Sequence, residues 1–107
     1  MLGFDLIEDT ELGGKRWVLV APSMEHGSAL LLAQASRPEQ RARIGDQTGG
    51  RVFLFLHTDD FAADHARYLD NGVRFVGAPR HEAYGTVAVF EDLYGNCWDL
   101  VEPSLPA

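Results

Sequence analysis

Apolar and polar residues alternate in short runs, and the spacing of those runs predicts mostly strands. Residues Phe4 to Asp9 (FDLIED) read as a strand. Lys15 to Ala21 (KRWVLVA) reads as the next, with Glu11-Leu12-Gly13-Gly14 as the turn between them. Pro22 to Ser28 is a loop. Ala29 to Ala35 (ALLLAQA) fits strand or helix by composition, and its length and flanking turn signals select strand. Ser36 to Gly50 is polar and ends in glycine, so it reads as a long connection with a short helical turn at Pro38 to Ala42.

Val52 to Thr58 (VFLFLHT) is apolar on both faces, the pattern of a strand covered on both sides. Asp59 to Asn71 is predicted helical, with Thr58, Asp59 or Asp60 as its cap and Asn71-Gly72 at its end. Its expected apolar stripe is Phe61, Ala62, Ala66 and Leu69, continuing to Val73. Arg74 to Val76 is a short strand, and Gly77 to Ala83 a loop around Pro79. Gly85 to Glu91 (GTVAVFE) and Cys97 to Glu102 (CWDLVE) are strands joined by a turn at Asp92 to Asn96. Pro103 to Ala107 is a tail.

The strand order repeats. Leu2-Gly3-Phe4 overlays Asn71-Gly72-Val73, and Arg16 to Ala21 overlays the strand at Thr86 to Glu91. Ala29 to Ala35 overlays Cys97 to Pro103, which sets Gln34 opposite Glu102. The offset is roughly 68 to 71 residues throughout. Under this overlay the first half lacks the strand and helix that open the second, about 18 to 20 residues by the same offset.

The 107 residues amount to one domain. Nine Lys and Arg stand against 16 Asp and Glu, a net charge of −7. Such a chain repels phosphate backbones and anionic bilayers, so neither nucleic acid nor membrane is an expected partner. No apolar run reaches the roughly 20 residues of a membrane span, and Met1 to Asp5 carries no basic signal-peptide region. The lone cysteine, Cys97, excludes an internal disulfide and cysteine-pair zinc modules. The expected compartment is cytoplasmic.

Two stretches carry a resemblance. One is V-F-E-D-L-Y-G-N-C-W-D-L-V-E-P, from Val89 to Pro103. The other is F-L-H-T-D-D-F with its following helix and N-G-V-R-F-V, from Phe55 to Val76. Together they resemble the vicinal oxygen chelate superfamily of glyoxalases, bleomycin-resistance proteins and extradiol dioxygenases. The resemblance implies an α+β fold of paired βαβββ modules that form an open, cup-shaped mixed sheet. Residues 1–35 would be a partial first module, 36–50 a connection and 51–103 a complete second module, within one domain spanning 1–107.

The resemblance also implies a divalent metal in many members, held by residues on the first and last strands of each module. Such an ion is a Lewis acid for neighbouring substrate oxygens. The first ligand has no counterpart in this chain. Gln34 stands where metal enzymes often have Glu. Val52 and Phe53 stand where His is usual, and Glu102 alone matches a ligand position. His57, farther along its strand, is either a ligand or a strand-end histidine near solvent.

Trp17 and Trp98 are expected either to line the cup or to pack in the core. The expected ligand-binding set is Trp17, Gln34, Phe53, His57, Trp98 and Glu102. Of the other histidines, His26 and His81 are placed in loops, and His65 on an exposed helical face. Cys97 reads as a small packed residue.

These readings favour a small-molecule-binding protein without a complete metal site, whose acidic charge suits a cationic ligand. The alternative is a metal-dependent lyase, isomerase or dioxygenase with a site completed across a dimer. No cofactor is expected under the first reading, and a divalent metal under the second. The sheet edge left open by the missing strand and helix predicts a homodimer.

Overall fold

A computed structural model of the chain describes residues 2–23 and 28–104. Strand β1 (Asp5–Leu12) turns through Gly13-Gly14 into β2 (Lys15–Ala21), and β3 (Leu30–Leu32) follows. These three pair antiparallel in the order β1-β2-β3, forming sheet A. A single helical turn, α1 (Pro38–Arg41), interrupts the connection, as Pro38 predicts. Then come β4 (Val52–His57), α2 (Phe61–Asp70), β5 (Arg74–Phe75), β6 (Arg80–Glu82), β7 (Gly85–Glu91) and β8 (Cys97–Pro103). Sheet B has the order β4-β8-β7-β5, with β6 also on β7. β4 is parallel to β8, and β7 and β8 are antiparallel.

The architecture is α+β, with two open sheets not closed into a barrel. The order β1-β2-β3 matches β5-β7-β8, and the overlaid glycines behave alike. Gly3 and Gly72 both take positive φ, 74° and 83°. β4 and α2 have no counterpart against sheet A among the described residues.

Sequence chemistry explains α2. The Asp60 carboxylate caps it by accepting from the Ala63 amide at 3.1 Å, and the Thr58 hydroxyl accepts from the Asp60 amide at 3.0 Å. The Glu102 carboxylate, reaching over from β8, accepts from the Phe61 amide at 2.7 Å. At the far end Gly72 closes the turn, and the Val73 amide donates to the Tyr68 carbonyl at 2.9 Å. The core lies between α2 and sheet B: Leu56, Phe61, Tyr68, Val73, Ala88, Phe90, Trp98 and Leu100. Phe90, Leu100 and Val87 are the largest fully sealed side chains.

Several expectations are corrected here. The buried face of α2 is not Ala62, Ala66 and Leu69. Phe61 and Tyr68 are buried, with Asp64 and His65 partly so, while Leu69 is exposed. Small alanines contribute little area, so the larger rings set the helix rotation. His65 is accordingly not on an exposed face. Its ring stacks on Phe61 at 5.4 Å and meets Phe75 at 4.4 Å.

β4 is not covered on both sides: Leu54 and Leu56 turn to the core, while Phe55 is 64% exposed. His81 lies on β6 rather than in a loop, because a polar edge strand needs only backbone pairing with β7. The third strand is only Leu30–Leu32, the length that Val18–Val20 of β2 can pair. His26 lies outside the described residues.

Candidate functional site

Sheet A meets the core of sheet B along one seam. Phe4 and Leu2, just before β1, lie against the core, and Leu30 of β3 joins them. The Phe4 ring meets Trp98 edge-on at 6.1 Å. Where the sheets part, a groove of about 330 Å³ opens. Val20, Leu30 and Leu32 form one wall; Trp98, Leu93 and Tyr94 form the other. Glu91 and Asp92 border it.

Trp98 is held in place. Its indole stacks on Phe90 at 5.7 Å, and Phe53 approaches edge-on at 6.4 Å. Its Nε1–H donates to Asp92 at 3.0 Å. The same carboxylate accepts from the amides of Tyr94 and Asn96 and from the Asn96 side chain, at 3.0, 2.9 and 3.1 Å. Asp92 thus fixes both the turn and the ring, and a rigid aromatic wall results.

A smaller cavity of about 200 Å³ lies between Leu2, Phe4, His57 and α2. Its polar side is an ion-paired chain in which Thr58 donates to Asp64 at 2.5 Å and Arg67 donates to Asp64 at 2.9 Å. Burial pushes the Asp64 carboxyl up, but the Thr58 hydroxyl and the Arg67 guanidinium outweigh it and hold it below the ordinary value. Arg67 also donates to the Leu2 carbonyl and lies 4.9 Å over the Tyr68 ring. Burial raises the Tyr68 phenol above its usual value.

The expected site residues do not converge. Trp98 and Phe53 meet, and Trp98 lines the groove. Trp17 is exposed on the face of sheet A opposite Val18 and Val20. Gln34 is exposed beyond the end of β3. His57 is exposed at the end of β4 and borders only the smaller cavity.

Glu102 shares its face with Trp98 and Leu100, as alternation predicts, but that face is the one covered by α2. Its carboxylate is committed to the helix N-terminus instead of facing an open cup. A metal does not fit this arrangement. Among the described residues no three His, Cys, Asp or Glu side chains are grouped to hold an ion.

Sequence reasoning missed Asp92 as an organiser, although Asp at the head of a Gly-Asn turn is a recognisable signal. It also missed Val20, Leu30 and Leu32, whose role depends on how the sheets meet. Asp99 was missed as well. It lies in mid-β8, is buried, and burial raises its pKa, with the charge of Arg80 opposing.

A family model for the Glyoxalase/Bleomycin resistance protein/Dioxygenase superfamily matches residues 1–100, and the chain belongs to that superfamily. Among individual relatives, an uncharacterised protein of Shewanella frigidimarina is 59% identical, over 94% of this chain and 76% of its own length. Of solved structures, UcmS2 is similar with TM-score 0.78 and 31% identity, covering 94% of this chain and 80% of that one. TnmS3, an antibiotic-binding protein from a Streptomyces species, is similar with TM-score 0.73 and 35% identity, covering 95% and 77%.

Proposed function

We propose that the protein binds a small aromatic molecule, without catalysis at a metal, in the groove beside Trp98. The observation that carries this reading is the groove itself: an apolar slot of about 330 Å³ with a fixed indole on its wall. That volume falls in the range of roughly 300–1,000 Å³ typical of ligand pockets. The similarity to TnmS3, which binds an antibiotic, supports the class of ligand.

The ligand is cationic as well as flat. The net charge of −7 draws cations from a distance. Glu91 on the groove border has, among the described residues, only a 3.9 Å contact to Arg74 to neutralise it. Anionic aromatics of the same shape are disfavoured.

The chain acts as one domain over residues 1–107, with residues 36–50 as the connection between its halves. It works as a homodimer in the cytoplasm. The edge of β3 is unpaired among the described residues, and Leu31 and Leu32 lie there about half exposed. A second copy covering that edge removes an aggregation-prone strand from water and closes one side of the groove. Light scattering at micromolar concentration is expected to give twice the mass of the chain, and a stable monomer would refute this part.

The binding test uses 9-aminoacridine, a flat cation, and 9-anthracenecarboxylate, a flat anion. Trp17→Phe leaves Trp98 as the sole indole. The cation is expected to quench Trp98 saturably, and the anion at least tenfold more weakly. Val20→Arg, which plugs the groove with a positive charge, is expected to weaken the cation at least tenfold. Equal binding by both probes, or by the plugged variant, would overturn the reading.

A further inference from the structure

The cavity of about 200 Å³ between the start of sheet A, the end of β4 and α2 is distinct from the Trp98 groove, although Leu2 and Phe4 line both. Its two sides are unlike. Leu2, Phe4, Pro22 and Leu56 make one of them apolar. Asp64 and Arg67 make the other charged, and the exposed His57 borders it.

The two charges are paired, yet neither is used up. The Arg67 guanidinium donates to Asp64 at 2.9 Å and to the Leu2 carbonyl at 3.3 Å, with the Tyr68 hydroxyl as a further contact. A guanidinium has about five N–H donors, so some are left over. Asp64 takes one bond from Thr58 and one from Arg67. A carboxylate has about four acceptor positions, so Asp64 too has capacity left. The Arg67 and Asp64 side chains keep 49% and 27% of their surface in water. A pair this open is held weakly, and a ligand can reach each end.

The charge pattern selects the ligand. A free cation meets the repulsion of Arg67. A free anion meets that of Asp64 and of the net charge of −7. A zwitterion laid head to tail against the pair finds an opposite charge at both of its ends. Being neutral overall, it is not turned away by the field of the whole chain. The apolar side is then left for a hydrocarbon tail.

We propose that this cavity binds a free aliphatic α-amino acid, with its carboxylate on Arg67, its ammonium on Asp64 and its side chain against Phe4, Pro22 and Leu56. The volume lies below the roughly 300–1,000 Å³ of typical ligand pockets, which restricts the side chain to a small one. The site does not depend on what the groove takes.

The test is an amide NMR titration of the whole chain with three molecules. They are L-leucine, 4-methylpentanoate (leucine without its ammonium) and isopentylamine (leucine without its carboxylate). Leucine is expected to shift the amides of His57, Asp64 and Arg67 saturably, and each truncated molecule to bind at least tenfold more weakly. Asp64→Asn is expected to weaken leucine until it binds no better than 4-methylpentanoate. A merely structural role for Asp64 would not erase that discrimination. Arg67→Lys keeps the charge at an exposed position but loses the planar fork, and is expected to weaken leucine at least tenfold.

Absence of a saturable shift with leucine would overturn the proposal, as would equal binding of either truncated molecule or full discrimination retained in Asp64→Asn. Should Asp64→Asn fail to fold, unchanged leucine affinity in Arg67→Lys would overturn it. Leucine shifts confined to Leu30, Leu32 and Trp98 would also overturn it, and would put the molecule in the groove instead.

Discussion

Replacing Asp92 with alanine removes one carboxylate and leaves four donors behind: Trp98 Nε1, Asn96 Nδ2 and the amides of Tyr94 and Asn96. Trp98 and Asn96 are buried, at 6% and 9% exposure, so water does not readily replace the lost acceptor for their side chains. An unsatisfied buried donor costs about 1–3 kcal/mol, and a turn amide that water can reach about 0.5–1.5 kcal/mol. With partial relaxation of the turn, the loss should be about 3 kcal/mol, a large share of the 5–15 kcal/mol typical of a domain. For a domain of this size each kcal/mol moves the midpoint by roughly 4–8 °C, so Tm should fall by about 12 °C or more.

Urea unfolding followed by far-UV circular dichroism measures the loss. Asp92→Asn keeps an acceptor and should lose about half as much. Combining Asp92→Ala with Trp98→Phe isolates the indole bond, and the two losses should fall short of additivity by about 1 kcal/mol. A loss below about 1 kcal/mol for Asp92→Ala, or strict additivity in the cycle, would refute the claim that Asp92 fixes the groove wall.

Three further outcomes follow from single contacts. Glu102→Ala should destabilise the chain by about 1 kcal/mol in the presence of a chelator, because the carboxylate serves the Phe61 amide at the start of α2; an effect seen only with added metal would contradict that role. Asp64 has its pKa held down in the fold, so it stabilises the protein above its unfolded value and loses that contribution as pH falls through the folded one. Asp64→Asn should therefore flatten the loss of stability on acidification below about pH 4, and urea midpoints measured across that window check it. Asp99 is the opposite case, raised by burial, so its penalty is complete above the folded pKa and fades toward the lower unfolded one. Asp99→Asn should raise stability at neutral pH, with an advantage that shrinks as pH falls, and a constant difference would refute the assignment.

The fold was legible where one physical signal dominated. Lys15–Ala21 and Gly85–Glu91 are strands at the bounds their sequences predict, because turn residues punctuate them and β-branched residues fill them. The placement of α2 followed from its caps, yet its rotation did not, since Ala62 and Ala66 count as apolar while burying little. β6 was hidden because Arg80-His81-Glu82 has no apolar pattern, and only β7 makes it a strand.

The site was less legible than the fold. Trp98 was readable as an aromatic wall, and its partners were not, because Val20 and Leu32 reach it only through the meeting of two sheets. Glu102 matched a ligand position by sequence overlay, and the helix it caps lies 41 residues away. Asp99 sits in an apolar strand, and its isolation depends on what β4 and β7 place beside it.

The most direct measurement is the fluorescence titration of the Trp17→Phe protein, in which Trp98 is the sole indole, with 9-aminoacridine. A saturable change that the Val20→Arg plug weakens at least tenfold is the predicted result. No saturable change, or an unaltered one in the plugged variant, would contradict a ligand in the groove.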